Sequence, residues 1–407
     1  MTTDEPVNNA SLDEVFRVIC SHCKPLPPAH VTLSEAIGRI LQEDVLAPED
    51  LPAFDRSAVD GYAVRTDDNS TAFRVVDFIR AGDWHPLELK KGEAVRIATG
   101  GALPSAGLQV VMQENARIEN DLCTFAHRTA ESHVRQRGED ARKGSRLVPT
   151  GTRIDAGILA LLASIGYTEP KVARKPNLFH FATGNEIVPP GHQPEPGKIR
   201  DSNSPLIAAF CRERDVDLTQ MHLAEEKELA FEILNAQQSA IETADIVLFS
   251  GGASVGRHDY TAEALTRLGF EIRISRTNLR PGRPLIVATR GRQIAFGIPG
   301  NPLAHFMLLQ TAVRCAINTY AGIPPQPTPH RAILVETMDS GGNTREILWP
   351  ARVQQVGTST EIRLLPWASS GDITVLARTN AIAVVPAGTR LLDAGTAVSY
   401  FSTQQNP

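Results

Sequence analysis

The sequence predicts a multidomain protein of the α/β and β classes, in which a parallel α/β domain accompanies helical and β-rich domains. A chain of 407 residues is too long for one ordinary core. A pattern of strand, Gly-rich loop and helix repeats three times after Pro176, and short alternating apolar stretches fill residues 48–140. We expect a split helical domain (10–47 and 141–176), an inserted β-rich domain (48–140), an α/β domain (177–325) and a C-terminal β domain (326–407).

Capping signals define the split helical domain. An apolar stripe begins at Leu12, and Thr32 with Glu35 forms a capping box that predicts a second helix through Leu41. In the other half, Asp155 is placed to cap a helix that Gly166 ends. The domain should therefore contain three short helices.

The α/β domain should begin with a strand at 177–182, followed by a helix with Ser204 as its N-cap. A continuously apolar strand at 246–249 precedes the loop 250–256 and a helix at 261–268. The third unit has a strand at 293–298 and a long helix at 303–318 that Asn301 and Pro302 introduce. Because loops after parallel strands emerge at the same edge of a sheet, one cleft should collect all three. A Pro-rich linker at 323–329 then leads into the C-terminal strands.

Composition excludes some classes of protein. A net charge of −5 argues against a general nucleic-acid surface, and no apolar run approaches the length of a membrane span. The polar N-terminus lacks the features of a signal peptide, so we expect a soluble cytoplasmic protein. Five scattered cysteines do not form a disulfide framework. Cys20 and Cys23 form a lone C-x-x-C, for which ordinary thiols are favoured over a zinc site.

The loop after the second strand has the composition of an oxyanion site. Gly251 and Gly252 allow backbone N–H groups to face a ligand, while Ser250 and Ser254 add hydroxyl donors. A plain tight turn is the alternative, and the sequence of this loop alone does not decide between the two.

Carboxylates surround the predicted cleft. Asp259 follows the second loop, Asp245 precedes its strand, and Glu186 and Asp201 lie in or after the first loop. Such a group would repel an anionic ligand unless a hard cation such as Mg²⁺ bridges them. Taken singly, each acid is also typical of a helix cap or of a solvated surface.

Arginines precede the third unit at positions 273, 276, 280 and 283. Guanidinium groups bind phosphate and molybdate-like oxyanions through paired hydrogen bonds. Pro281 and Pro284 stiffen the segment that carries the last two arginines. The segment is therefore predicted to present cations to an oxyanion, with a generic surface loop as the alternative.

Taken in order, motifs along nearly the whole chain resemble the molybdopterin molybdenumtransferase family, called MoeA in bacteria and the E domain of gephyrin in animals. They lie at residues 51–63, 97–100 with 110–114, 137–140, 183–188 with 197–203, 250–256 with 259–261, and 297–302. The resemblance implies that the α/β domain is a molybdopterin-binding domain. It also implies a homodimer, held by the split helical domain, whose active cleft lies between the α/β domain of one subunit and the inserted domain of the other.

The resemblance also implies roles for individual residues. The catalytic positions would be Asp60, Thr99, Asp140, Glu186 and Asp259, of which Glu186 and Asp259 would also hold the metal. The substrate-binding positions would be Arg137, Ser250, Gly251, Gly252, Ser254, Arg276, Arg280, Pro299 and Pro302.

The family reaction takes adenylylated molybdopterin and molybdate, releases AMP and leaves molybdenum on the dithiolene, with Mg²⁺ assisting. The implied partners are the preceding molybdopterin adenylyltransferase and the acceptor molybdoenzymes, without nucleic acid or membrane. The family often has Lys where Arg276, Arg280 and Arg283 stand, and Val in place of Ala253. Its usual acidic pair corresponds only to Glu225 and Glu226, to which no role is given.

Two other functions compete with this one. The same cleft in a carrier or scaffold would bind molybdopterin or the finished cofactor without chemistry, but binding alone would not need four carboxylates. The adenylyltransferase that precedes this step shares the α/β fold, yet it would not need the motifs around Asp60 and Thr99. A metal-inserting transferase is therefore the favoured function.

Overall fold

The computed structural model describes residues 5–128, 131–223, 226–251, 260–323 and 329–404. Two compact units make up the chain, one formed by Met1–Gln42 with Glu169–Pro407 and the other by Glu43–Thr168. Within the described ranges, no helix is both long and apolar enough to cross a bilayer. The boundaries of the four predicted domains stay a prediction.

The larger unit begins with helix α1 (Leu12–His22), strand β1 (Pro28–His30) and helix α2 (Leu33–Ala36). Ser11 caps α1, whose apolar face is buried. The predicted capping box precedes α2, but this helix ends at Ala36 and does not reach Leu41. The backbone leaves the helical conformation at Ile37, whose ψ is +133°, and Gly38 follows with φ of +77°, a left-handed conformation that glycine readily adopts.

The smaller unit is mainly β-structure. Its described elements are β2 (Val45–Leu46), β3 (Arg56–Ser57), β4 (Gly61–Arg65), β5 (Ala72–Ile79), β6 (Glu93–Ile97), β7 (Leu108–Met112), β8 (Ala116–Glu119), β9 (Leu122–Phe125), β10 (Val134–Arg135), β11 (Arg146–Val148) and helix α3 (Ala156–Ser164). Six strands form one sheet in the order β7-β4-β6-β5-β9-β8. Asp155 caps α3 by accepting the Ile158 N–H at 2.9 Å, as the sequence predicted.

The α/β part of the larger unit holds the next ten strands. They are β12 (Lys171–Ala173), β13 (Asn177–Thr183), β14 (Ile187–Val188), β15 (Ile199–Arg200), β16 (Asp217–Leu223), β17 (Ile246–Ser250), β18 (Glu271–Ile274), β19 (Leu279–Arg280), β20 (Ile286–Arg290) and β21 (Gln293–Ile298). The main sheet has the order β16-β13-β17-β21-β20-β18. Its first four strands are parallel, whereas β20 runs in the opposite direction and pairs antiparallel with both β21 and β18. The sheet is thus mixed, although all three strands that carry the predicted loops are parallel.

Helices cover both faces of this sheet. They are α4 (Asn203–Glu213), α5 (Lys227–Ala236), α6 (Gln238–Thr243), α7 (Thr261–Arg267), α8 (Pro302–Leu308) and α9 (Arg314–Tyr320), with a π-helical turn at Leu309–Val313 between the last two. Leu248 packs into the core beneath α1, α4 and α8, while Val247 and Phe249 pack into the core beneath α5, α6 and α7. Alternating strand residues therefore fill two cores.

The start of α4 differs from the prediction. Ser202, not Ser204, is the N-cap residue, and its side chain makes no cap hydrogen bond. Instead, Asp201 Oδ1 accepts the backbone N–H groups of Asn203 and Ser204, each at 3.0 Å. The carboxylate accepts two donors where a hydroxyl at position 204 would have accepted one, so the helix begins two residues earlier.

A closed β-barrel ends the chain. Its region contains β22 (His330–Leu334), β23 (Met338–Asp339), β24 (Glu346–Val356), β25 (Ser359–Leu364), β26 (Ala381–Val385), β27 (Leu391–Leu392) and β28 (Ala397–Ser402). Strands β24, β25, β22, β28 and β26 pair in that order, and β26 pairs back onto β24. Closure leaves these strands without free edges. Strand β19 from the α/β part pairs in parallel with β24.

Candidate functional site

Three loops meet at the carboxyl edge of the main sheet and line a pocket of about 370 Å³. They follow β13, β17 and β21, and the start of α4 closes another side. The structure brings five residues with predicted roles together on this lining: Glu186, Ser250, Gly251, Pro299 and Pro302.

Gly251 contributes space to this pocket and not a donor. Its φ is +88°, and an added Cβ would lie 2.6 Å from Thr183 Oγ1. Its N–H group donates to the carbonyl of Ile298 at 3.1 Å. The expectation that this N–H faces a ligand is therefore wrong, because the Ile298 carbonyl at the end of β21 already accepts its hydrogen bond.

Ser250 lies on the pocket lining and is 4% exposed. Its hydroxyl oxygen lies 2.6 Å from Nε2 of His180, which is fully buried in the middle of β13. The amide of Gln220, on the edge strand β16, lies 3.0 Å from the other ring nitrogen of this histidine. Burial lowers the pKa of His180 to about 3, so the ring is neutral at physiological pH.

A second buried histidine supports the loop after β21. His305 Nδ1 lies 3.3 Å from the carbonyl of Pro299. Its other ring nitrogen, Nε2, is buried without a hydrogen-bond partner among the described residues. Burial lowers the pKa of His305 to about 4. The pocket therefore rests on two neutral imidazoles.

Two described carboxylates, Glu186 and Asp201, line the pocket. Asn203 lies beside them, and its side-chain oxygen is buried without a donor, while its amide nitrogen donates to the Gly300 carbonyl at 2.7 Å. Mg²⁺ is commonly held by one or two carboxylates and keeps several waters, which are hydrogen-bond donors. This donor set fits a hydrated Mg²⁺ ion, although no group of three ligating side chains occurs in the described residues.

Three arginines form a cationic cluster that includes Arg283, the residue before Pro284 of the pocket lining. Burial, together with the charges of Arg283 and Arg280, lowers the pKa of Arg345. The Arg280 guanidinium also lies 5.3 Å from the ring centroid of Trp367. Mutual repulsion of this kind indicates a surface that an oxyanion would stabilise. Arg345, which lies next to β24, was not singled out from the sequence.

Asp245 and Arg273, which were expected among the charges around the cleft, form ion pairs with other side chains of the protein. Asp245 lies at the amino end of β17, away from the pocket, and pairs with Arg174 at 2.7 Å. Arg273 is held by the Glu271 carboxylate, with its Nη2 2.7 Å from Oε2. Their expected place in the cleft is therefore wrong. Arg276 is half-buried, and its carbonyl accepts the N–H of Ala10.

In the smaller unit, Asp60 and Thr99 are in contact. One carboxylate oxygen of Asp60 accepts the Thr99 N–H at 2.7 Å and the Thr99 hydroxyl at 3.0 Å. Both residues are exposed. The backbone hydrogen bond from Thr99 lowers the pKa of Asp60, with the hydroxyl adding to the effect.

Arg137 and Asp140 also lie on the surface of the smaller unit. The Arg137 guanidinium pairs with Asp50 at 2.9 Å, and its backbone N–H bonds to Asp55 at 2.7 Å. Arg137 also lines a second pocket, of about 750 Å³. Asp140 pairs with Arg135 at 2.6 Å.

Some predicted site residues lie outside the described residues. They are Gly252, Ser254 and Asp259, together with Ala253. The sulfur of Cys20, half of the C-x-x-C pair, lies 3.7 Å from the sulfur of Cys315, a neighbour that the sequence analysis did not predict.

Known families match three successive parts of the chain. Residues 10–166 match the MoeA N-terminal region (domains I and II), residues 180–319 match a probable molybdopterin-binding domain, and residues 331–402 match the MoeA C-terminal region (domain IV).

Similar proteins extend over nearly the whole chain. Molybdopterin molybdenumtransferase of Staphylococcus epidermidis is 31% identical over 97% of this chain and 96% of the relative. The protein of the same name from Bacillus subtilis is 32% identical over 95% and 92%, and that from a Nostoc species is 35% identical over 90% and 86%. Among solved structures, the molybdopterin biosynthesis MoeA protein of Pyrococcus horikoshii superposes with a TM-score of 0.82. It is 27% identical, and the match covers 98% of this chain and all of that structure.

The fold and the pocket define a multidomain protein of molybdenum-cofactor biosynthesis, built around a molybdopterin-binding α/β domain. The chain belongs to the MoeA family of molybdopterin molybdenumtransferases.

Proposed function

We propose that this chain transfers molybdenum from molybdate to adenylylated molybdopterin, with release of AMP and formation of molybdenum cofactor. The observation that carries the proposal is the pocket at the carboxyl edge of the sheet, whose lining includes Ser250, Glu186 and Asp201. Both substrates are oxyanions, and the pocket combines hydroxyl donors with carboxylates suited to a bridging cation.

The basic side chains take the anionic groups. Arg276 and Arg280 bind phosphate or molybdate oxygens on the α/β side, and Arg137 does so on the inserted side. The repulsion that lowers the pKa of Arg345 favours an anion at that cluster. Most of the rate gain then comes from positioning and from charge stabilisation.

Glu186 and Asp259 would hold Mg²⁺, and Asp201 lies on the same lining as Glu186. When bound, the cation neutralises the charge of the pyrophosphate. The buried Asn203 oxygen would accept a hydrogen bond from a water of its hydration shell. Pro299 and Pro302 shape the floor of the pocket.

The proposal includes a homodimer, because the catalytic residues Asp60, Thr99 and Asp140 lie in the smaller unit. Their cleft would form with the α/β domain of a second copy. It also includes a cytoplasmic location, substrate delivery by the preceding adenylyltransferase and release of the cofactor to acceptor molybdoenzymes.

A turnover assay tests this function. The protein is incubated with adenylylated molybdopterin, molybdate and Mg²⁺, and AMP release is followed together with cofactor formation. Stoichiometric AMP and cofactor over many turnovers support the transferase. Binding of molybdopterin without AMP release would support the carrier, which the same pocket could also serve.

A further inference from the structure

His180 lies between Phe179 and Phe181 in the buried middle of β13, and both of its ring nitrogens are hydrogen-bonded. It is fully buried, with Nε2 2.6 Å from the Ser250 hydroxyl oxygen and Nδ1 3.0 Å from the Gln220 amide nitrogen. A buried imidazole needs a partner at each nitrogen, and one of the two partners of His180 is a residue of the pocket lining. The three side chains therefore connect the edge strand β16 to the pocket.

One carbonyl group decides which residue donates in each hydrogen bond of the series Gln220–His180–Ser250. The Gln220 amide nitrogen also lies 3.1 Å from the backbone carbonyl of Ser204, which can only accept. This contact fixes the amide orientation, so Gln220 donates to Nδ1 of His180 as well. A neutral imidazole that accepts at Nδ1 carries its proton on Nε2. His180 therefore donates to the Ser250 oxygen.

Because Ser250 accepts from His180, its own hydroxyl hydrogen remains available to another acceptor. Within the described ranges, no acceptor for it is present in the protein, and the residue lines the pocket. We propose that Gln220 and His180 are positioning residues that fix the Ser250 hydroxyl as a hydrogen-bond donor to an oxyanion bound in the pocket. This inference rests on the proposed function for the nature of the ligand, whose oxygen belongs to a phosphate or to molybdate.

The wild-type protein provides the first test, and a variant is needed only to assign its signals. Nitrogen-15 NMR of the histidine side chains at pH 7 distinguishes the two neutral tautomers, and the His180 signals are those lost in His180→Gln. We expect a protonated Nε2 and an unprotonated Nδ1. A protonated Nδ1 would make Nε2 of His180 the acceptor and Ser250 the donor, and would overturn the proposal.

Binding measurements test the consequence for the ligand. Titration calorimetry with molybdate alone and with AMP alone separates the two sources of oxyanion. We expect Ser250→Ala and His180→Leu each to weaken one of these ligands about tenfold or more, the usual effect of losing a hydrogen bond to a charged group. His180→Gln should retain most of the affinity, because a glutamine amide nitrogen can replace Nε2 as the donor.

The double variant decides whether His180 acts through Ser250. His180→Leu should have no further effect in a Ser250→Ala background. An equal loss in both backgrounds would make His180 a packing residue and overturn the proposal, as would wild-type protein that binds neither ligand. Thr219→Ala is the matched control, since Thr219 neighbours Gln220 on β16 and its side chain points to the opposite face.

The outcomes separate this inference from the proposed function. Absence of turnover in a protein with the expected tautomer and tenfold effects would contradict the transferase and leave the donor role of Ser250 intact. Normal turnover with the opposite tautomer would contradict only the positioning role.

Discussion

Thr99 donates two hydrogen bonds to the same oxygen of Asp60, one from its backbone at 2.7 Å and one from its hydroxyl at 3.0 Å. The two bonds come from a loop 39 residues away in sequence and lower the pKa of the carboxyl group. Asp60 is therefore charged and fixed in orientation on an exposed surface. The carboxylate is therefore held in one orientation in which its other oxygen can accept a hydrogen bond from a ligand.

The first prediction removes this charge and keeps its shape. Asp60→Asn retains an oxygen that can accept both bonds from Thr99, so the fold should be unchanged while AMP release falls at least about tenfold, the scale of one lost charged contact. Circular dichroism and the turnover assay measure the two effects. Asp67→Asn is the control, because Asp67 is another exposed aspartate of the same unit that pairs with Arg65. Equal activity of both variants would show that the Asp60 charge is not used.

The second prediction concerns Arg345. Arg345→Gln removes one of three cations that repel one another, so molybdate binding should weaken about tenfold or more, as for loss of a charge-assisted hydrogen bond. The salt dependence of binding should also become shallower. Titration calorimetry at two ionic strengths measures both effects, with Arg352→Gln as the control, because Arg352 is an exposed arginine on β24, the strand that follows Arg345. Unchanged affinity in Arg345→Gln would remove the cluster from the substrate site.

The third prediction concerns stability in acid. Burial lowers the pKa of His180 to about 3, so the unfolded chain binds a proton below pH 6.5 that the folded chain does not. Stability is therefore complete above pH 6.5 and is lost as the pH falls from 6.5 toward 3, by up to about 1.4 kcal/mol per pH unit for this group. His305, with a pKa of about 4, adds a loss of the same sign.

Chemical unfolding between pH 7.5 and pH 5 tests this dependence. His180→Gln removes one titrating group and should show a shallower loss of unfolding free energy below pH 6.5 than the wild type. His192→Gln removes an exposed histidine and serves as the control. A slope in His180→Gln equal to that of the wild type would show that the buried ring does not set the acid sensitivity.

The sequence predicted the three parallel strands β13, β17 and β21 because each is an apolar run that a Gly-containing loop follows, whereas the other strands of the main sheet, β16, β18 and β20, were not predicted. The strand predicted at 293–298 is β21, residue for residue. Competition between local capping groups was harder to predict. Helix α4 begins earlier than predicted because Asp201 caps it. At α8, the backbone carbonyl of Ser370 accepts the Leu303 N–H at 3.0 Å, and the Asn301 side chain makes no cap hydrogen bond. Local sequence pattern did not predict either capping group.

The candidate site was predictable only in part, for the same reason. The Gly-rich loops follow strands of one sheet, so their convergence follows from topology. The positions of His180 and Arg345 do not. A histidine within the apolar strand 177–182 was a visible signal, but its partner Gln220 lies on another strand. Arg345 lies near Arg280 because β19 pairs with β24. The paired residues of these two strands, such as Leu279 and Glu346, are 67 positions apart in the sequence.

The fourth prediction is a dimer in solution. Light scattering should give about twice the chain mass of 44.1 kDa at micromolar concentration. A single species of the chain mass would contradict a cleft shared between subunits, and the assignment of Asp60 to that cleft would fail with it.

The last prediction tests whether residues from two subunits form one active site, using subunits that carry Asp60→Ala or Glu186→Ala. Each variant alone should be inactive, because both copies of its site carry the lesion. In a heterodimer of the two, a cleft that joins the smaller unit of one subunit to the α/β domain of the other places both lesions in one site and leaves the second site whole. Activity per heterodimer should then return to about half of wild type, as two-fold symmetry gives two equivalent sites. Proven heterodimers that stay inactive would show that Asp60 and Glu186 act within the same subunit.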